Sequence, residues 1–236
     1  MTNYIIRIIV TGMQERQKLS DKIQIFLVED HPIFRKGLAE ILNNQKHFEV
    51  CGEAEDALEA LKAIREKRPD FMIIDVSLKN SSGIELIKDI KLRYSDILIL
   101  TLSMHDETIY AERALRAGAK GYLMKQEAPE TVVKAVTHIL GGNIYVSDNI
   151  ATRMFNKLIE GQSTIESSPV DLLTDRELEV FQLIGRGLGT RQIAQKLHVS
   201  VKTIENHRAH IKEKLNLGSA IELVQHATLW VQEEGV

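Results

Sequence analysis

From Ile23 onward the chain alternates short apolar runs with segments whose apolar residues recur every three or four positions. The runs Ile23 to Val28, Phe48 to Cys51, Phe71 to Ile74, Ile97 to Leu102 and Tyr122 to Leu123 predict strands. The longer runs are apolar throughout, as in a sheet buried on both faces. Between them, Ile33/Phe34/Gly37/Leu38/Ile41/Leu42, Leu58/Leu61/Ile64 and Ile84/Ile87/Ile90 follow helical spacing, and a fifth helix starting near Pro129 carries Val132, Val133, Val136, Ile139 and Leu140. This alternation predicts an α/β domain, a (βα)5 unit with a right-handed, doubly wound parallel sheet. Ligands of such sheets bind at the carboxyl ends of the strands, so functional side chains are expected just after strands.

The pattern changes after Gly141-Gly142. Ile150, Ala151, Met154, Phe155, Leu158 and Ile159 fit one amphipathic helix, and a polar stretch from Glu160 to Asp171, with Ser167-Ser168-Pro169, reads as a linker. Beyond it come only helices. Thr174 as N-cap with Glu177 at N3 forms a capping box, and Leu173 can staple onto Leu178. That helix ends near Gly187 and Gly189. A short helix from Arg191 to Leu197, a tight turn through His198, Val199 and Ser200, and a helix from Val201 to about Leu215 follow. Ser219 with Glu222 opens a final helix. The expected organisation is a poorly ordered extension over 1–22, with Met13 as an alternative start; an α/β domain over 23–140; a linker over 141–171, helical in its first half; and a second, smaller all-α domain over 172–236.

Length and composition agree. At roughly 150 residues per domain, 236 residues make one to two domains. With 44% apolar and 27% charged residues, collagen, extended disorder and a disulfide scaffold are excluded. The longest apolar runs fall far short of the ~20 residues that span a bilayer, so no membrane span is expected. Ile5 to Val10 lacks the flanks of a signal peptide. The single cysteine, Cys51, is expected as a small buried hydrophobe, and a cytoplasmic location fits. Net charge, 30 minus 33 or −3, exerts no global pull on nucleic acid, but from Arg186 to Lys214 seven basic residues (Arg186, Arg191, Lys196, Lys202, Arg208, Lys212, Lys214) face only Glu205 and Glu213. That block is a candidate phosphate-binding surface.

Glu29 and Asp30 end the first strand and Asp75 ends the third, which puts three carboxylates at one rim. Their repulsion calls for a cation, and oxygen-only ligation near phosphate favours Mg²⁺. Ser103 and Lys125 follow the fourth and fifth strands, a hydroxyl and an ammonium suited to an anionic phosphoryl group. One Asp at a strand end is more often a cap; the ordered set is what points to chemistry. Two enzyme classes are disfavoured. A haloacid dehalogenase-type phosphatase would carry a second Asp two residues after the nucleophile, which Asp75-Val76-Ser77 lacks, and Glu29-Asp30-His31-Pro32 is no glycine-rich nucleotide loop.

Glu29-Asp30, Asp75, Ser103, Tyr122 and Lys125, in this order, resemble the receiver domain of bacterial two-component response regulators over roughly residues 23 to 140. The resemblance implies that Asp75 accepts a phosphoryl group from a sensor histidine kinase. It further implies Mg²⁺ held by Glu29, Asp30, Asp75 and the backbone carbonyl of Ser77. Ser103 would be the hydroxyl that closes on the phosphoryl group, Lys125 its ion-pair partner, and Tyr122 the aromatic that changes rotamer with it. Many receivers have a proline after the lysine; here Gln126 follows Lys125.

The segment from Arg191 to Lys214 has a helix-turn-helix layout. Val201, Ile204, Ile211 and Leu215 make the inward stripe of its second helix, with Arg208 partly covering it. The opposite face carries Lys202, Glu205, Asn206, Ala209 and Lys212, mixing phosphate-seeking cations with residues able to read base edges. A charged face alone is more often merely solvated. However, Leu173-Thr174-Asp175-Arg176-Glu177, Gly187, Ile193-Ala194, Leu197, Ser200-Val201-Lys202-Thr203-Ile204, His207 and Lys214-Leu215 resemble the LuxR-type DNA-binding domain. Joined to a receiver, the chain is similar to the NarL/FixJ subfamily of response regulators. The resemblance implies a regulator of transcription rather than an enzyme, with Glu205, Asn206 and Ala209 facing bases of double-stranded DNA and Lys202, Thr203 and Lys212 near phosphates. The alternative is an adaptor that docks proteins and binds no DNA. The final helix carries two apolar stripes, Ile221/Val224/Thr228/Val231 and Leu223/Ala227/Trp230, one more than a small core needs. A homodimer through the spare stripe is expected; otherwise Trp230 simply closes the core.

Overall fold

The structure, a computed structural model, describes residues 22–78, 81–104, 107–159, 169–197 and 199–234. The expected N-terminal extension up to residue 21, with Met13, lies outside them, as do His105, His198 and residues 160–168 of the expected linker. The described chain falls into two compact units that divide between Ser147 and Asp148.

The first unit runs β1 (Ile23–Val28), α1 (Pro32–Asn43), β2 (Phe48–Ala54), α2 (Ala57–Lys67), β3 (Phe71–Asp75), β4 (Ser77–Leu78), β5 (Ser81–Ser82), α3 (Gly83–Arg93), β6 (Leu98–Ser103), α4 (Glu107–Ala117), β7 (Gly121–Met124) and α5 (Pro129–Leu140). Five strands pair in parallel in the order β2-β1-β3-β6-β7, and β4 and β5 form a separate two-residue antiparallel pair. The doubly wound sheet read from the apolar alternation is therefore present. The order reverses between β1 and β3, which opens a crevice at their carboxyl ends. Ile25, Leu27, Phe71, Ile73, Leu100 and Leu102 bury one face against Leu38 and Leu42 of α1 and Val132, Val136 and Ile139 of α5.

Helix ends follow local chemistry. Asp56 caps α2 by accepting from the Glu59 N–H at 2.9 Å, and Ser82 caps α3 by accepting from the Glu85 N–H at 3.3 Å. Three details depart from the apolar pattern. Ile33 and Leu58 sit on helical stripes, yet both side chains are exposed, because α1 and α2 each turn only their later residues to the sheet. Helix α4 carries no long apolar stripe in the sequence; its buried face is Ile109, Tyr110, Ala111, Ala114 and Ala117, mostly too small to register as periodicity. Cys51 is half-buried and lies where the β1–β2 register shifts, between the pairs Ile25↔Val50 and Phe26↔Gly52.

The second unit is all-helical: α6 (Asp148–Ile159), a 3-10 turn (Pro169–Leu172), α7 (Asp175–Gly185), α8 (Thr190–Lys196), α9 (Val201–Lys214) and α10 (Ala220–Glu234). The Thr174–Glu177 capping box is formed in both directions, and Leu173 and Leu178 are both buried beside it. Ser219 accepts from the Glu222 N–H at 3.1 Å, while the Glu222 carboxylate accepts from the Ser219 hydroxyl at 3.1 Å and from the Gly218 N–H at 2.9 Å. Leu178, Phe181, Ile184, Ile193, Ile204, Ile211, Leu223 and Ala227 form the core.

Candidate functional site

Backbone register alone brings the strand-end residues to one rim. Val28 pairs with Ile74 and Asp75 with Leu102, so Glu29 and Asp30 emerge beside Asp75, with Ser103 one residue beyond it on the next strand. Ser103 in turn pairs with Met124, which sets Lys125 at the same level. Glu29, Asp75 and Ser103 are buried, a costly place for two carboxylates.

Lys125 compensates. Its ammonium lies 2.7 Å from Glu29 Oε2 and donates to Asp75 Oδ2 at 2.7 Å, over the face of the Phe34 ring at 5.0 Å. Burial pushes the Asp75 carboxyl up to about 7, helped by the Glu29 charge and opposed by Lys125. The Lys125 pKa is raised as well: burial works against its charge, but the two carboxylates outweigh burial. Asp75 Oδ1 also accepts from the Ser77 N–H at 3.3 Å. The turn that places Asp75 needs Gly83, since a Cβ there would stand 1.8 Å from the Asp75 carbonyl oxygen.

Glu29, Asp30, His31 and Asp75 each offer a ligand atom, and these atoms all lie within 4.8 Å of one another. Asp30 Oδ1 is buried and accepts no hydrogen bond, although His31 Nδ1 lies 2.8 Å away. A carboxylate oxygen turned inward without a donor, in a set of three carboxylates, fits a hard cation. His31 was not among the residues the sequence singled out for this site. Its N–H and ring both meet Glu29 Oε1, at 3.0 and 3.1 Å, and its place directly after the acid pair was the signal available. Arg35 donates to the Glu29 backbone carbonyl and pairs with Glu53 and Glu55 at 3.0 and 3.1 Å, which holds the end of β1. Tyr122 is 2% exposed, buried on β7 opposite Thr101.

In the helical unit, α8 and α9 are joined by the turn that ends at Ser200, whose hydroxyl caps α9 through the Thr203 N–H at 3.0 Å. Lys202, Glu205, Asn206 and Ala209 are exposed, and Thr203 and Lys212 half-buried. Ile204 and Ile211 face the core, whereas Val201, expected inward, is 40% exposed because it opens the helix. Part of the basic block is spent within the domain. Lys214 is turned back on Glu177 at 2.7 Å and ties α9 to the start of α7, and Arg208 is partly buried. Lys202 lies 3.8 Å from Glu205, too loose to spend its charge. On α10, Leu223 and Ala227 are buried and Trp230 packs on Phe181, ring centroids 5.7 Å apart, while Ile221 and Val224 remain exposed.

A strand-end acidic rim on a parallel sheet, accompanied by a helix-turn-helix with a polar outer face, defines a signal-receiving regulator. Residues 25–137 match the response regulator receiver domain, and residues 171–227 match the bacterial regulatory proteins of the luxR family. The chain is 39% identical over 210 residues to the oxygen regulatory protein NreC of Staphylococcus epidermidis, covering 87% of this chain and 96% of that one. NreC of Staphylococcus carnosus is 38% identical over 209 residues, with the same coverage. Among solved structures, RcsB of Salmonella enterica serovar Typhimurium, bound to promoter rprA in the presence of the phosphomimetic BeF3-, superposes with a TM-score of 0.54. It is 26% identical and covers 88% of this chain and 98% of its own. The chain belongs to the two-component response regulators of the NarL/FixJ subfamily, a receiver domain with a LuxR-type helix-turn-helix. It is a phosphorylation-controlled, DNA-binding regulator of transcription. No described helix is long and apolar enough to cross a membrane.

Proposed function

We propose that Asp75 is the phosphoacceptor of a cytoplasmic transcription regulator, in a receiver spanning 23–140 joined by a linker over 141–171 to a DNA-binding domain over 172–236. The observation that carries this reading is the Lys125 ammonium held 2.7 Å from both Glu29 and Asp75 at the reversal point of the sheet. A carboxylate oxygen of Asp75 attacks the phosphorus of a phosphohistidine on a sensor kinase; the P–N bond breaks as the acyl phosphate forms. Glu29, Asp30, Asp75 and the Ser77 carbonyl would hold Mg²⁺, whose role is to neutralise the phosphoryl oxygens. Lys125 already bridges the two carboxylates and can swing with the new anion, Ser103 offers its hydroxyl to a phosphoryl oxygen, and Tyr122 changes rotamer with Ser103. Acetyl phosphate with Mg²⁺ labels the wild type, and Asp75→Asn takes no label. Undiminished labelling of that variant overturns the assignment.

On DNA, Glu205, Asn206 and Ala209 face the bases and Lys202, Thr203 and Lys212 the phosphates, a reading supported by the exposure of this face of α9. Two copies pair through α10. The exposed Ile221 and Val224 support it, because Leu223, Ala227 and Trp230 already serve the core and leave the second stripe over.

A further inference from the structure

Beyond α5 the chain does not leave the sheet at once. Residues 143–147 run along the outer edge of β7. The Tyr145 N–H donates to the Lys120 carbonyl at 2.9 Å and the Tyr122 N–H donates to the Tyr145 carbonyl at 2.9 Å, a parallel bridge centred on Gly121. The Tyr145 ring stands edge-on to His138 of α5 at 5.8 Å. Two residues on, Ser147 Oγ donates to Glu107 Oε1 at 2.8 Å, at the first residue of α4. The close approach depends on glycine: a Cβ on Gly121 would lie 2.9 Å from the Tyr145 oxygen and 2.8 Å from Ile139 Cδ1.

Both anchors of this strap belong to elements next to the residues that respond to phosphorylation. Tyr122 itself supplies the donor on β7, and α4 is the helix that follows Ser103 in the chain. The strap ends one residue before α6 begins at Asp148. We propose that residues 143–147 transmit the phosphorylation state: a rearrangement of β7 at Tyr122 or of the start of α4 alters the strap's two anchors and thereby the first turn of α6, through which the helical half of the molecule is attached. The inference rests on the reading of Asp75, Ser103 and Tyr122 above. Its physical basis is that the strap has few ways to respond. Its backbone is hydrogen-bonded to the residue whose ring is expected to change rotamer, so if β7 shifts there the strap either follows it or releases it, and the two outcomes differ in where Asp148 starts.

The test uses the full chain, acetyl phosphate with Mg²⁺, and a DNA duplex selected by the wild-type phosphoprotein from a random library. Ser147→Ala and Glu107→Ala take label as the wild type does, but the change in DNA affinity on phosphorylation shrinks by about fivefold, the effect of losing one hydrogen bond of ordinary strength. Ser147→Thr keeps the hydroxyl and restores the response. Independently, amide exchange in the wild type changes on phosphorylation at Tyr122 and Tyr145. A strap that only seals the sheet edge would lower the melting temperature of the variants and leave the affinity ratio intact. That result, or equal exchange at both amides in the two states, overturns the proposal. Absence of label on the wild type is a separate outcome, and it overturns the Asp75 reading together with this one.

Discussion

At Asp75 burial and charge are opposed, and the balance decides what the group can do. Burial holds its pKa up at about 7 even with the Lys125 ammonium beside it, so a further cation would favour the ionised form a nucleophile requires. Asp30 makes a different contribution: its inward oxygen accepts no hydrogen bond, although the His31 ring lies 2.8 Å away, and its loss leaves the Lys125 bridge between Glu29 and Asp75 in place. Asp30→Ala is therefore expected to weaken Mg²⁺ binding at least tenfold, roughly 1.4 kcal/mol, with an unchanged melting temperature in the absence of the ion; isothermal titration and thermal melts check it. Retained affinity would count against the acid pocket. On α9 two exposed residues with different chemistry separate position from sequence. Lys212→Ala should weaken binding alike on specific and random duplexes and flatten the salt dependence. Asn206→Ala should cost about 1–3 kcal/mol on the specific duplex alone. Equal behaviour of the two variants in salt-titrated binding would refute the base-facing assignment.

Among the elements, the junction of α7 and α9 shows how one side chain serves several ends. Glu177 closes the capping box by accepting from the Thr174 N–H at 2.8 Å and also takes the Lys214 ammonium at 2.7 Å. Burial raises its pKa, but the Lys214 and Thr174 hydrogen bonds outweigh burial, and the net shift is downward. A depressed carboxylate stabilises the fold above its unfolded pKa of about 4.3, and that contribution is lost as pH falls through the lower folded value. Glu177→Gln retains an oxygen for the cap but not the charge. It should destabilise the helical unit by about 1 kcal/mol at pH 7, and the difference from wild type should shrink as pH falls below about 4.3 and vanish once pH is below the lowered folded pKa. Thermal melts across pH check this; a difference that persists in acid would show that shape, not charge, is at issue.

For the whole molecule, the surface left over after the core is filled is the informative part. α10 spends Leu223, Ala227 and Trp230 on its own domain, so Val224 can change without opening that core. Val224→Glu should keep the melting temperature within a few degrees and abolish association of the phosphorylated full chain on a duplex with two half-sites, measured by sedimentation. Undisturbed cooperative binding would remove α10 as the interface. One solved structure of a relative is of two RcsB dimers bound to two parallel DNAs. That structure is 26% identical to this chain, with a TM-score of 0.53.

By itself the sequence determined the periodicities and the local signals. Apolar runs ending in Glu29-Asp30 and Asp75 are strands because a doubly covered sheet tolerates nothing else there, and Thr174 with Glu177 starts a helix because the cap is made within four residues. Those features depend on neighbours in the chain and need no partner from elsewhere. Helix α4 was not legible for the opposite reason: alanines bury well but carry little apolar signal. Only the tertiary structure decided that Lys125 lies between Glu29 and Asp75, that His31 joins the acid cluster, that Lys214 is spent on Glu177 and not on the basic face, and that Tyr145 borders β7. Each is a contact between residues far apart in sequence, or a choice among directions a side chain could take. Strand order and helix packing fix such choices, and no periodicity encodes them.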